Sequence, residues 1–135
     1  MSEKLVYLSP PWAQEAKRRL ETELDPAKMN GITTSMVNLY GNCPDGKERW
    51  LLVECSEGRL ANFAAGEGEA PAAEFRISGD YKVFAAISRA EMGSQRALMT
   101  GKLKLRGNMA KALRLAPLAD RINKVLSEIP AEYQE

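Results

Sequence analysis

The spacing of apolar residues along this chain switches from helical to extended and back again, and that order limits the architectures open to it. Ser9, Pro10 and Pro11 announce a helix start, after which Trp12, Ala16, Leu20 and Leu24 recur every four residues with Lys17, Arg18 and Glu21 turned away. Asp25-Pro26 stops that helix, because the residue before a proline is pushed out of the helical region. From Ile32 the chain breaks into short β-prone runs: Ile32 to Asn42, Lys47 to Ser56 and Arg59 to Ala65. The tight turns at Cys43-Pro44-Asp45-Gly46 and Glu57-Gly58 join these runs into an antiparallel meander.

Beyond a small acidic loop from Gly66 to Pro71, Phe75 and Ile77 alternate with polar neighbours as a fourth strand. Asp80 then caps a helix carrying Val83, Ala86, Ile87 and Ala90 at helical spacing, with Phe84 beside them, and Gly93 ends it. Ser94 caps a short helix to Thr100, and Gly101 releases the chain into a fifth strand, Lys102 to Arg106. There Leu103 and Leu105 face one way and the cations the other. Asn108 caps a helix with Met109, Ala112, Leu113 and Ala116 on one side. Pro117 resets it, and Leu118, Ala119, Ile122, Val125, Leu126 and Ile129 continue the stripe. This order lacks the regular strand-helix alternation of a doubly wound sheet and predicts an α+β layer. At 135 residues, a single domain spanning residues 1–135 is expected.

The chemistry is bounded by what is missing. The chain has no histidine, so imidazole-activated nucleophiles and histidine zinc sites are out. Gly66-Glu67-Gly68 puts Pro71 where a dinucleotide loop needs its third glycine, and Thr100-Gly101-Lys102 lacks the rest of a phosphate loop. Glu67, Glu69 and Glu74 read as a solvated acidic loop, not a cation site. Neither a catalytic residue, a cofactor nor a metal is expected.

Cys43 and Cys55 are too few for a disulfide scaffold. A turn near Asp45 places Cys55 opposite Thr34 or Ser35, roughly 25 Å from Cys43 at ~3.3 Å per residue, so both thiols should be free. Free thiols, no stretch long enough to span a bilayer and no signal-peptide pattern from Met1 to Trp12 predict a cytoplasmic protein.

Charge is unevenly placed. Arg96 to Lys124 holds eight cations against Asp120 alone, whereas Glu54 to Asp80 holds six carboxylates against two arginines. A basic face suits anionic lipid or an acidic partner protein. Nucleic acid is not expected, because no aromatic lies between Phe84 and Tyr133 to stack on bases. The chain also has 18 alanines but only nine aromatics. Such small walls either leave an apolar tunnel between helices and sheet or let the layers pack closely.

The run Ser94-Gln95-Arg96-Ala97-Leu98-Met99-Thr100-Gly101-Lys102-Leu103-Lys104-Leu105-Arg106-Gly107-Asn108, followed by Ala112 and Leu113, resembles the sterol carrier protein 2 family. Phe75-Arg76-Ile77-Ser78-Gly79-Asp80, the hairpins and the N-terminal helix follow in the expected order, so the resemblance spans about Trp12 to Ile129. It implies a five-stranded, mainly antiparallel sheet covered by helices. Between them would run a hydrophobic tunnel for a fatty acid, acyl-CoA, sterol-like lipid or phospholipid, held without catalysis. It also implies that Gly101 ends a helix and Gly107 a strand at tight turns. Asn108 stands where aspartate is common, and Tyr133-Gln134-Glu135 is no peroxisomal address, which points to a lone bacterial-type domain.

From facing alone, the expected sheet wall is Phe75, Ile77, Leu103 and Leu105, and the helix wall Phe84, Ile87, Met109 and Leu113. Leu118, Ile122, Val125 and Leu126 would form a lid. Lys104, Arg106, Lys111 and Arg114 would meet a head group or, transiently, an anionic membrane. The alternative is a ligand-free interaction or accessory module, for example one presenting polyprenyl quinone precursors to a partner enzyme.

Overall fold

The structure, a computed structural model, describes residues 4–23 and 31–133. Leu24, the Asp25-Pro26 stop and Gln134-Glu135 lie outside the described residues. In chain order the elements are β1 (Leu5–Val6), α1 (Pro10–Glu23), β2 (Thr34–Gly41), β3 (Arg49–Ser56), β4 (Arg59–Glu67) and β5 (Phe75–Asp80). Then follow α2 (Tyr81–Ser88), α3 (Ser94–Met99), β6 (Leu103–Arg106), α4 (Met109–Arg114), α5 (Ala116–Ser127) and β7 (Ala131–Glu132).

The main sheet has the order β4-β3-β2-β5-β6, with only β2 and β5 parallel. This is the mainly antiparallel five-stranded sheet that was expected. Gly46 closes its turn on the Cys43 carbonyl at 2.9 Å with φ of 75°, and Glu57 and Gly58 both take positive φ, as a two-residue hairpin requires. Thr34 pairs with Cys55, the register expected from that turn, and both thiols are free and buried.

The helices all lie on one face of the sheet. Trp12, Ala16 and Leu20 of α1 are fully buried, and Trp12 meets Phe63 of β4 with ring centroids 6.1 Å apart. Phe84 of α2 lies 4.4 Å from the ring of Tyr40 on β2. Because side chains alternate along a strand, Phe63, Tyr40 and their same-face partners Val53, Leu51, Phe75 and Ile77 all point toward this helical layer.

Several boundaries differ from expectation for local reasons. The stripe on α2 is Tyr81, Phe84, Ala85 and Ser88 with Ile87, whereas Val83 and Ala86 are only half-buried. The α2 helix ends at Ser88, and Ala90 takes a φ of 62°, so Gly93 is not its terminator. Asp80 occupies the N-cap position, but its carboxylate accepts from the Asn42 amide at 2.9 Å instead of capping. Ser94 is the first helical residue of α3, and Gly93 precedes it as cap. At α4 the expectation holds, because the Asn108 side chain accepts from the Lys111 amide at 3.1 Å.

A second, two-stranded parallel sheet pairs Leu5 with Ala131 and Val6 with Glu132, tying the two ends of the described chain together. Around it the Tyr7 ring meets Tyr40, Tyr81 and Tyr133 at centroid distances of 6.2, 5.8 and 4.8 Å. Two-residue strands carry no period, so no sequence pattern announces them.

Candidate functional site

Between the sheet and the helices lies a cavity of about 120 Å³. Its floor comes from alternate residues of four strands. The register sets Met36 beside Val53 and Phe75, and Asn38 beside Leu51 and Ile77, while Leu105 pairs with Ile77 at the sheet edge. Its walls are Phe84 and Ile87 of α2, Ser94, Gln95 and Leu98 of α3, Met109, Ala112 and Leu113 of α4, and Ala116, Ala119, Ile122, Asn123 and Leu126 of α5, with Leu103 and Leu115 completing it.

All eight expected wall residues, Phe75, Ile77, Leu103, Leu105, Phe84, Ile87, Met109 and Leu113, line this space. Of the four expected in a lid, Ile122 and Leu126 line it, whereas Leu118 and Val125 do not. All four are at most 7% exposed, and α5 packs against α1, α2, α3 and α4, so α5 is core. The lining residues absent from the expectation are mainly Met36, Asn38, Leu51 and Val53 on the floor and Ser94, Gln95 and Leu98 on α3. The hairpin register that located Cys55 also places the first four on one face, so the signal for them was present.

The element at the edge is α4. It has no buried residue, and Met109 and Leu113 are 54% and 58% exposed while also lining the cavity, which makes them its rim. Gly107, with φ of 140°, turns the chain from β6 into α4, and a Cβ there would lie 2.6 Å from the Phe75 ring. On its other side α4 is held by Lys111, whose ammonium pairs with the Glu74 carboxylate at 2.6 Å. That carboxylate also accepts from Thr34 Oγ1 at 2.8 Å. The Lys111 bond first, and then the Thr34 bond, hold the Glu74 carboxyl below the ordinary carboxylate range.

The four cations expected to meet a head group are divided by the fold. Lys104 and Arg106 sit opposite Ser78 and Arg76 on the sheet face away from the cavity, because strand residues alternate and Leu103 and Leu105 take the inner side. Lys111 is engaged with Glu74, and Arg114 is exposed at the end of α4 beside the rim residue Leu113.

Electrostatically the cavity is bare. Among the described residues that line it, none is ionisable, and the polar groups are the neutral Asn38, Ser94, Gln95 and Asn123. The nearby buried hydroxyls of Tyr7 and Tyr40 hydrogen-bond to one another at 3.2 Å, and burial raises both above the ordinary tyrosine value. Burial likewise raises Cys43 and Cys55, so neither thiol is an activated nucleophile at neutral pH. Among the described residues no cluster of metal-ligating side chains is present.

This fold recurs in known proteins. A crystal structure of sterol carrier protein 2 superposes with a TM-score of 0.79 at 24% identity, covering 91% of this chain and 98% of that one. A solution structure of a conserved Thermus thermophilus protein gives 0.81, also at 24% identity, covering 97% and 94%. These two likenesses establish the fold. At the level of sequence, the Caenorhabditis elegans protein named non-specific lipid-transfer protein-like 1 is 31% identical over 108 residues, which is 79% of this chain and 86% of that protein. The family model described as the SCP-2 sterol transfer family matches residues 15–120. The chain belongs to the SCP-2 sterol transfer family.

Proposed function

We propose that the protein binds a long apolar ligand in this cavity and transfers it without catalysis, the ligand being a fatty acid, acyl-CoA, sterol-like lipid or phospholipid. The observation that carries the reading is the charge-free, predominantly apolar lining beneath an exposed rim of Met109 and Leu113. Family membership supports it, as does the lipid-transfer name of the C. elegans relative.

The size of the cavity bears on the route of entry that this reading requires. At about 120 Å³ it is close to the ~150 Å³ apolar cavities that admit benzene, and below the ~300–1,000 Å³ of ordinary ligand pockets. A long ligand therefore widens it into a tunnel by displacing a wall, and α4, without a buried residue, is the wall that yields at least cost. Removing apolar ligand surface from water at ~25 cal/mol per Å² supplies the driving force. A lining without a counter-ion rejects a carboxylate or phosphate, so the tail enters first and a charged head stays at the mouth, where the exposed Arg114 follows the rim residue Leu113. The free thiols Cys43 and Cys55 support a cytoplasmic setting.

Native mass spectrometry of freshly purified protein, followed by solvent extraction, tests this directly. Copurified lipid, or saturable uptake of a fluorescent fatty acid, is the expected result. A ligand-free protein that takes up no such probe would sink the carrier reading and favour an interaction module. Turnover of an acyl thioester would overturn the absence of catalysis.

A further inference from the structure

The main sheet ends in β6, whose one strand neighbour is β5. Every second residue of an edge strand turns its N–H and C=O away from the sheet, which makes an open edge a template for another extended chain. Among the described residues, the one backbone bond made from outside the sheet beside β6 is that of the Lys102 amide to the Ala97 carbonyl, before the strand begins. The opposite edge differs. There α1 packs against β4, and the pairing of β4 with β3 shifts register between Glu54 and Cys55, a bulge of the kind that blunts an edge.

The side chains that β5 and β6 turn away from the cavity are largely cationic. The register sets Arg106 directly opposite Arg76 and Lys104 opposite Ser78, and Lys102 lies two residues before Lys104. All four cations are exposed, and among the described residues none has an ion-pair partner. The carboxylates nearest along β5 are engaged elsewhere, Glu74 with Lys111 and Thr34, and Asp80 with the Asn42 amide. Glu48 and Glu69 share an open groove with Arg76, Lys102 and Lys104 without pairing with any of them. Like charges directly opposite on adjacent strands are destabilising. Cations on an edge strand also discourage pairing between copies, but Arg76 lies on β5, which has a strand on both sides, so guarding an edge does not account for it.

We propose that the open edge of β6 receives an extended acidic segment of a partner protein, added to the sheet as a further strand. Its backbone bonds to the open side of β6, and its alternate carboxylates lie beside Lys104 and Arg106 and offset the repulsion between Arg106 and Arg76. The spacing matches, because alternate side chains on both chains repeat at about 6.8 Å on one face. A small anion would answer the charges and leave the edge unpaired. A neutral segment would pair with the edge and leave the repulsion. The cations lie on the sheet face away from the cavity, so this surface would serve a lipid carrier and a ligand-free module alike.

The test is fluorescence anisotropy of a labelled peptide that alternates glutamate and valine, titrated with the full chain. The wild type should bind it saturably and bind a lysine-valine peptide far less. Two further peptides carry backbone N-methyl groups on one or the other alternate set of residues. Only one set of amides can face β6, so one methylated peptide should lose binding and the other keep it. Equal behaviour of the two would reduce the contact to charge attraction and overturn strand addition. Lys104→Glu with Arg106→Glu should lower affinity about tenfold or more, and Lys104→Gln with Arg106→Gln should lower it less, in the same direction. Lys17→Glu with Lys124→Glu makes the same change in net charge at exposed positions of α1 and α5 and should matter far less. Equal losses from the two reversed pairs would overturn the assignment to β6. Arg76→Gln should weaken the peptide while raising the melting midpoint, because the cross-strand repulsion goes with the charge. Unchanged binding by Arg76→Gln would remove Arg76 from the surface. A wild type that binds no acidic peptide, or that forms dimers lost in Lys104→Glu with Arg106→Glu, would overturn the acidic partner.

Discussion

Two adjacent helices, α4 and α5, share one cavity and present apolar stripes that look alike on paper, yet they occupy opposite roles. The longer, α5, buries Leu118, Ile122, Val125 and Leu126 and packs on four other helices. The chain beyond it is also pinned, since Leu5 donates to the Pro130 carbonyl at 3.0 Å and Tyr7 to that of Glu132 at 2.9 Å. The shorter, α4, has no fully buried residue: it leaves β6 through the Gly107 turn, runs into α5 through the buried Leu115, and pairs its Lys111 with Glu74. An apolar stripe therefore does not say whether a helix is core or gate. That depends on how many neighbours the fold supplies.

Breaking this comparison takes substitutions on both helices. The largest effect should come from Ile122→Asp, which places a charge where the side chain is 5% exposed. Denaturant unfolding should show a loss of about 3–5 kcal/mol, enough to unfold much of the protein. A loss under about 1 kcal/mol would return α5 to the role of a lid. Next, Gly107→Ala should cost about 1–3 kcal/mol, because φ of 140° is strained for alanine and the new Cβ meets Phe75. Thermal melts would detect it, and an unchanged midpoint would mean that this turn does not position α4.

The smaller effects sharpen the contrast. Leu113→Ser, at a side chain 58% exposed, should alter stability by no more than about 0.5 kcal/mol while weakening fatty-acid uptake. Unaltered uptake would remove α4 from the mouth. Smallest is the Lys111–Glu74 latch, whose side chains are 35% and 38% exposed, so Lys111→Met should cost well under 1 kcal/mol. Its pH dependence has a definite sign. The Glu74 carboxyl is depressed in the folded protein, so the latch is complete at neutral pH and persists below the ordinary carboxylate range. It is then lost as pH falls through the depressed value. Ligand exchange by the wild type should accelerate across that acid window, and Lys111→Met should show no such step.

Much of the fold was legible because its signals are local. The Asp45 turn set the register that places Thr34 opposite Cys55, and alternation assigned Leu103 and Leu105 to the inner face. The same alternation should have removed Lys104 and Arg106 from any cavity mouth, since they fall across the sheet from it. On α2, Phe84 and Ile87 are buried as expected, but Tyr81, Ala85 and Ser88 are buried in place of Val83, Ala86 and Ala90, because only contact with the sheet selects among such similar apolar and small residues. The terminal sheet and the Lys111–Glu74 pair join residues far apart in sequence and leave no local trace.

The sequence by itself determined the order of elements, the hairpin register, the separation of the thiols and the set of apolar residues that face inward, because periodicity and turn chemistry act over a few neighbouring residues. Only the tertiary structure decided which inward residues surround empty space and which fill it, which helix is buried among neighbours and which stands exposed at the rim, and which cations find a carboxylate. Those properties depend on long-range contacts, and a side chain is core or rim according to how many partners reach it in space.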